Sequence, residues 1–442
     1  MEARQDTLLE KLRQQYNTAP FPRKSLDSSP FDDLNWLFDH YMVTPYYARN
    51  QKVVDPAGKT ILDAGCGSGY KSLALAFANP GAKIVGIDLS EESVYLAEQR
   101  LQYHGVDDAE FHVLDIEDLA SLNQQFDYIN CDEVLYFLPD PAVGLRAMKS
   151  VLKPDGIIRA NLHSSIQRAS FFRAQQVFKM MGLMDRVPQA MELDLVREIM
   201  AALKHEVRLK VDTWFPACET DDEPIWTNHL LVGDRGFAIP EMFSALQAAD
   251  LEFIEMMDRG TWQLKILFEQ PERLPVLPGL DFSTLSRAEE LELFELFQSN
   301  HRLLDFWCGH PDRAVPFSPI SKWSQRQWQQ AQVHLHPYLR APSLAAALQK
   351  NAARKGLLML EEEQLSDRGP IAIDSAIAAT ILPLSAGPQS LAFLGERWQQ
   401  LYPLHPVTLE AIDSEGTFTL LKQMLIGLER AGYVMLEQSD VV

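Results

Sequence analysis

Cysteine is scarce in this 442-residue sequence: Cys66, Cys131, Cys218 and Cys308 are the four, and none falls in a Cys-x-x-Cys pair or at zinc-finger spacing from a histidine. That argues against a disulfide framework and a structural zinc, and it suits a reducing compartment. Long apolar runs are missing too, and no uncharged stretch is long enough to cross a bilayer. The opening MEARQDTLLEKLRQQY is charged and amphipathic and lacks the apolar centre of a signal peptide. A cytoplasmic protein without membrane engagement is expected. Positive charge is also in short supply, with 40 Lys and Arg against 61 Asp and Glu, a net charge of −21. Such a surface repels phosphate backbones, which discounts nucleic acid and favours a protein or small-molecule partner. No internal repeat is found, and the sequence does not indicate an oligomeric state.

What is present is ordinary soluble-protein composition, 46% hydrophobic and 23% charged, in a chain longer than one core usually organises. Two or more domains are expected. Residues 3–16 read as a helix, followed by a Pro-interrupted arm and two short aromatic-rich helices at 32–42 and 45–53. Strands and helices then alternate: KTILDA, a helix from Tyr70, KIVGID, a helix from Glu91 with Ser90 as its cap, EFHVLD, FDYINCD, a helix from about Pro141, and GIIRANLH. This βαβ series predicts a parallel sheet covered on both faces. An insertion is expected over about 166–236, two consecutive helices at 166–204 and a mixed stretch at 207–236, and helix, strand, strand over 239–268 could complete the sheet. Pro271, Pro275 and Pro278 suggest a boundary. The expected domains are a helical arm and cofactor flap at 1–55, an α/β domain at 56–270, and a C-terminal α+β domain at 279–442.

Chemistry concentrates in Ile61-Leu-Asp-Ala-Gly-Cys-Gly-Ser-Gly-Tyr70. An apolar strand ends in a glycine-rich turn and a helix follows, so Gly65, Gly67 and Gly69 allow a tight turn and a ligand close to the backbone. Asp88 ends the next strand, where an acid accepts hydrogen bonds from ribose hydroxyls. Tyr70 stands where both a phosphate-binding Walker loop and a GxGxxG dinucleotide loop need glycine. A ligand without a pyrophosphate does not need that glycine, and Asp115 with Ile116 can meet an adenine after the third strand. S-adenosylmethionine fits these constraints; a dinucleotide or an unliganded Rossmann-like unit are the competing readings.

Asp63-Ala-Gly-Cys-Gly-Ser-Gly, Val85-Gly-Ile-Asp-Leu-Ser and Phe126-Asp-Tyr-Ile-Asn-Cys-Asp-Glu-Val resemble motifs I, II and IV of class I methyltransferases, and Leu152-Lys-Pro-Asp-Gly their turn before strand five. The resemblance spans roughly 59–163. It implies a Rossmann-like class I methyltransferase sheet with a helical insertion and a second, α+β C-terminal domain. It implies S-adenosyl-L-methionine as cofactor, touched by Asp63, Gly65, Cys66, Gly67, Asp88, Leu89, Asp115, Ile116 and Cys131. Outside that span, QYNTAPFPRKSL and LSDRGPIAIDSAIAATILPLSAGPQSLAFL resemble bacterial protein methyltransferases with a C-terminal regulatory domain. MVTPYYARNQ resembles cyanobacterial relatives, among them the phycobiliprotein β-subunit asparagine methyltransferases. The NPPY stretch of many amide and base methyltransferases is replaced here by Asn130-Cys131-Asp132-Glu133.

Tyr47 and Arg49 are expected to close over the cofactor and hold its carboxylate, or else to sit on a packed surface helix. Asp132, Glu133 and Tyr136 after strand four, and His163 at the end of strand five, are the candidates for transfer chemistry; caps and carbonyl-bonded packing are their alternatives. Trp307 and His310 read either as substrate contacts or as packed core. The expected activity is methyl transfer to a protein side-chain nitrogen without a metal. An asparagine amide of a phycobiliprotein β-subunit is the first acceptor, and a lysine, or a small molecule, is the alternative. A non-enzymatic cofactor-binding module stays open.

Overall fold

The computed structural model describes residues 2–32, 34–271, 284–340, 342–354, 356–359, 372–404, 410–411 and 413–438. Contacts divide the chain into two compact units, one of residues 1–28, 58–76 and 81–313, the other of residues 29–57, 77–80 and 314–442.

The first unit is built on a sheet. Thr60–Ala64 (β1), Lys83–Asp88 (β2), Ala109–Val113 (β3), Phe126–Cys131 (β4) and Leu152–Ser164 (β5) run parallel in the order β3-β2-β1-β4-β5. Every residue of β4 is buried, as are the last four of β1, because helices cover both faces. Continuous apolar runs such as FDYINC follow from that two-sided burial. Strand order reverses between β1 and β4, and the crevice at the carboxyl ends of such strands is where open α/β sheets take ligands. Gly236–Phe237 (β6) adds a short parallel pairing to β5.

The sheet is completed by Glu252–Met256 (β7) and Leu303–Gly309 (β8), in the order β5-β8-β7, with β8 antiparallel to both neighbours. The sequence pattern predicts two strands within 239–268; that span holds β7 and a 3-10 turn at Leu264–Leu267, and the second strand comes from LLDFWCG, beyond the expected domain boundary. Its local pattern does not name its partner: six of its seven residues are buried, so nothing in its alternation marks a sheet edge or a core. Trp307 packs in this strand at 4% exposure, and His310 Nε2 lies 3.2 Å from the Leu152 carbonyl. Of the three boundary prolines, Pro275 and Pro278 lie outside the described residues.

Helices Glu2–Thr18 (α1), Tyr70–Ala78 (α2), Glu91–Tyr103 (α3) and Pro141–Ser150 (α4) flank the sheet. Ser90 caps α3 by accepting from the Ser93 N–H at 3.0 Å, with Glu91 and Glu92 in the positive first turn. Asp140 caps α4 in the same way. The insertion forms Ala169–Met180 (α5) and Ala190–Ala202 (α6) around its own core of Phe178, Val196, Met200, Ile225 and Trp226.

The second unit holds an antiparallel sheet of Gln389–Ser390 (β12), Ala331–Leu335 (β9) and Val434–Gln438 (β13), with β9 central, and a pair of Leu357–Met359 (β10) with Ala372–Asp374 (β11). The helix Val43–Asn50 belongs to this unit. The Tyr47 hydroxyl accepts from the Leu436 N–H at 3.1 Å and lies 3.3 Å from the Glu429 carboxylate, while Arg49 is buried at 4% exposure.

Candidate active site

A cavity of about 530 Å³ opens at the carboxyl edge of β1, β2, β3 and β4. Its floor is the turn Gly65-Cys66-Gly67, with Asp88 and Leu89 after β2, Asp115 and Ile116 after β3, and Asp132 and Glu133 after β4. Leu8, Leu9, Leu12 and Tyr16 of α1 form another wall, joined by Phe21 and Pro22.

The glycines of the turn answer to protein neighbours as much as to a ligand. Gly65, Gly67 and Gly69 all have positive φ, at 89°, 51° and 78°. A Cβ on Gly65 would overlap the Val134 side chain, on Gly67 the Phe21 carbonyl, and on Gly69 the Ala97 backbone. The arm lies directly on the turn: the Ser68 N–H donates to Phe21 O at 2.8 Å and the Ser68 hydroxyl to Pro22 O at 2.7 Å. Arg100 of α3 bridges turn and arm, donating to Ser68 O of the turn at 2.9 Å and to Ser25 O and Lys24 O of the arm at 2.6 and 2.7 Å.

Asp88 takes a backbone N–H on each carboxylate oxygen, from Gly67 at 3.0 Å and Ser90 at 2.9 Å. Each oxygen keeps a lone pair for a further donor. Burial pushes its carboxyl up to about 6 against those two hydrogen bonds. Asp115 caps the turn after β3 through the Glu117 N–H at 3.0 Å. Asp63 does not line the cavity. It is buried behind the turn, accepting from the Ser72 hydroxyl at 2.6 Å and Asn130 at 2.9 Å, and burial raises its carboxyl despite both bonds. Cys131 is fully buried and likewise outside the lining; burial raises its thiol, as it does that of Cys66, so both are neutral.

Asp132, Glu133, Tyr136 and His163 come together in one cluster. Glu133 has φ of 67°, a left-handed backbone conformation that costs a non-glycine residue energy and that its surroundings enforce. Its N–H donates to Asn161 Oδ1 at 2.8 Å. Its carboxylate accepts from the Tyr136 hydroxyl at 2.7 Å and from both terminal nitrogens of Arg302. Burial alone would raise the Glu133 carboxyl; Arg302 first, then bonding from His163 and Arg302, hold it well below the usual range. Asp132 is lowered too, against burial, by Lys71 at 2.8 Å and Arg159 at 3.7 Å. Tyr136 moves the other way: burial and the adjacent Glu133 raise its hydroxyl well above normal, which makes it a donor and not a base.

His163 and Tyr136 stack with ring centroids 3.7 Å apart, and neither is in the cavity lining. His163 Nδ1 lies 2.6 Å from Asp234, and Nε2 lies 3.0 Å from Arg302 and 3.4 Å from Glu133. Asp234 is itself held by Arg168 at 2.7 Å and Gln175 at 2.8 Å. His163 therefore braces Glu133 from behind. Tyr47 and Arg49 are not among the cavity residues and belong to the second unit. Of the expected flap, Tyr16, Phe21 and Pro22 reach the cavity, while residues 29–57 belong to the second unit.

The sequence reading missed Lys71, Arg302, Asp234 and the α1 leucines. The charged three are far from their partners in sequence, and the Leu8, Leu9, Leu12 stripe reads only as a helix face that packs on something. Among the described residues no group of three or more His, Cys, Asp or Glu side chains is placed to hold a metal, and no helix is long and apolar enough to cross a membrane. The donor set suits a nucleoside: an acid with spare lone pairs at Asp88, apolar walls at Ile87, Leu89, Leu114 and Ile116, and a glycine turn that brings backbone to the cavity.

Residues 55–221 match the family model described as a methyltransferase domain. Over 309 residues the chain is 29% identical to an uncharacterized protein of Synechococcus, covering 69% of this chain and 72% of that one. It is 40% identical over 106 residues to a ubiquinone biosynthesis O-methyltransferase of Neisseria meningitidis, covering 24% of this chain and 44% of the relative, so it spans less than half of that protein. PKMT2 from Rickettsia typhi, also solved in complex with AdoHcy, aligns over 91% of this chain and 76% of its own at TM-score 0.57 and 14% identity, which shows a shared fold. The matched domain and the geometry of the cavity it builds make this chain an S-adenosylmethionine-dependent methyltransferase, with S-adenosylmethionine as its cofactor.

Proposed function

We propose that this methyltransferase modifies a side-chain nitrogen of a protein. The observation that carries the reading is Glu133, an ionised carboxylate in the cavity wall whose backbone and side chain are both fixed. When bound, S-adenosylmethionine supplies a methyl group on a sulfonium, a good leaving group for direct in-line displacement. One nitrogen–carbon bond forms, one sulfur–carbon bond breaks, and the nitrogen gives up one proton to solvent.

Glu133 orients the acceptor by taking its N–H. Held well below the usual carboxylate range, it is a weak base. An oxygen acceptor needs a base to remove its proton as the bond forms; an amide nitrogen, whose lone pair is delocalised, needs its N–H bonds held by an acceptor, and a lysine sheds its ammonium proton to solvent before it attacks. A weak base that accepts N–H bonds therefore favours nitrogen. Alignment and exclusion of water make up the rest, and the α1 leucines with Phe21 line the cavity with apolar surface. On this reading Gly65, Cys66 and Gly67 meet the methionine end of the cofactor, Asp88 and Leu89 the ribose, and Asp115 and Ile116 the adenine. Asp63 and Cys131 support the turn and β4 from behind.

The asparagine amide of a phycobiliprotein β-subunit is the first acceptor, on the resemblance of MVTPYYARNQ (42–51) to the cyanobacterial relatives. Lysine is the second, favoured by the cavity's excess of acids: Asp88, Asp115, Glu117, Asp118, Asp132 and Glu133 line it with Lys71 as their counter-charge. The test incubates the purified chain with methyl-labelled cofactor and either a phycobiliprotein β-subunit or a lysine-rich cell extract, and maps label by mass spectrometry. Label on an asparagine amide supports the first acceptor and label on lysine the second. Label on oxygen, or only in small molecules, overturns the proposal.

A further inference from the structure

Lys71 is the second residue of α2, two positions after Gly69, and stands in the cavity wall. Among the described lining residues it is the one cation, facing six carboxylates. Two of its ammonium N–H bonds go to a single residue: Nζ lies 2.8 Å from Asp132 Oδ2 and 3.2 Å from the Asp132 backbone oxygen. An ammonium has three donors, so one is left to point elsewhere. Asp132 does not depend on Lys71 alone. It also accepts from Asn161 at 2.5 Å and faces Arg159 at 3.7 Å, so Lys71 can share its charge with a second anion without stranding a buried carboxylate.

The cofactor brings that anion. S-adenosylmethionine carries two positive charges, sulfonium and amine, and one negative, the α-carboxylate. An acidic cavity welcomes the first two and penalises the third unless a cation meets it. Arg49 and Tyr47, the residues expected to do so, belong to the other unit and not to this cavity wall. We infer that Lys71 receives the carboxylate of the cofactor and that this contact is what lets the acidic cavity accept an amino-acid-bearing nucleoside.

The inference rests on the cofactor reading of the cavity, and its test separates the two. Binding of S-adenosylmethionine, S-adenosylhomocysteine and decarboxylated S-adenosylmethionine is measured by calorimetry on the full chain. Lys71→Met is expected to weaken the two carboxylate-bearing ligands about 10- to 100-fold, the range of a hydrogen bond to a charged partner. The decarboxylated ligand should change by no more than about twofold, since it lacks the group concerned. Lys71→Arg, which keeps the charge, should retain most of the preference for the carboxylate. Equal weakening of all three ligands in Lys71→Met would assign Lys71 to the support of Asp132 and overturn the inference. So would unchanged binding of the carboxylate ligands, or, should Lys71→Met fail to fold, a wild-type protein that binds the decarboxylated ligand as well as the intact one. A wild-type protein that binds none of the three refutes the cofactor site itself.

Discussion

Arg302 grips Glu133 with both terminal guanidinium nitrogens across 169 positions of sequence. A planar fork on a planar carboxylate fixes direction as well as charge, and a lysine cannot reproduce it. The pair joins the residue before β8 to the loop after β4, so the last-recruited strand of the sheet aims the side chain proposed to receive the substrate. Arg302→Met should lower kcat roughly 10- to 100-fold while the cofactor Kd moves less than about threefold, because the lost contact orients the acceptor and not the nucleoside. Arg302→Lys should recover only part of the loss. Initial rates and calorimetry read the two quantities separately, and a matching loss in cofactor affinity would place Arg302 in the wrong half of the site.

Asp88 titrates at about 6 because burial disfavours its charge. Ribose hydroxyls donate to the carboxylate and less well to the protonated acid. Cofactor affinity should then be constant above that value and fall by up to about tenfold per pH unit beneath it, as one proton competes with one ligand. Asp88→Asn should bind weakly and without this pH dependence. A wild-type binding curve that stays level from pH 7 to pH 5 argues against the assignment.

His229 is buried among Phe171, Phe178 and Trp214, in the π-helical turn Ile225–His229. Burial lowers it from 6.5 to about 4. Between those values the unfolded chain binds the proton and the folded chain does not, so stability falls as pH falls through the window. The loss comes to about 2 kcal/mol between pH 7 and pH 5 from this residue. Urea midpoints of wild type and His229→Phe should diverge in their pH dependence, the variant losing less on acidification; parallel curves would remove His229 as the cause.

Gly67 sits at φ 51° with the Phe21 carbonyl where a Cβ would be. Gly67→Ala should push the arm off the turn, lowering stability by about 1–3 kcal/mol and cofactor affinity with it. Thermal melts with and without cofactor measure both effects, and Gly105→Ala is a control, since its Cβ meets nothing within 4 Å although its φ is 71°. Equal losses in the two variants would mean that the backbone angle alone, and not the arm, explains the cost.

Arg100 ties the arm to the glycine turn, holding the Lys24 and Ser25 carbonyls of the arm and the Ser68 carbonyl of the turn at once. Arg100→Met should leave the sheet folded and make the arm open more often. Trypsin cleavage after Arg23 or Lys24 should then speed up roughly tenfold or more, since proteolysis follows the open population. Unchanged cleavage would show that packing of Phe21 and Pro22 suffices without the guanidinium.

The parallel half of the sheet and the floor of the cavity were legible in the sequence, because local rules carry them. Apolar runs of strand length, a glycine turn at 65–69, an acid at each of 88 and 115, and a capping serine at 90 depend on neighbours a few positions away, and the elements lie where those signals are. The acids Asp132 and Glu133 were visible as candidates for the same reason, since they follow a strand whose carboxyl end faces ligands. Tertiary structure decided everything that needed distant chain. It put LLDFWCG into the sheet, carried Tyr47 and Arg49 to another unit, and set the α1 leucines over the cavity. It also converted Asp132, Glu133, Tyr136 and His163 from four titratable side chains into a charged pair, an oriented carboxylate, a donor and a brace. That conversion is electrostatic: burial shifts each group, and Lys71, Arg159, Arg302 and Asp234 reverse or fix the shift, from positions that no periodicity or spacing links to the groups they govern.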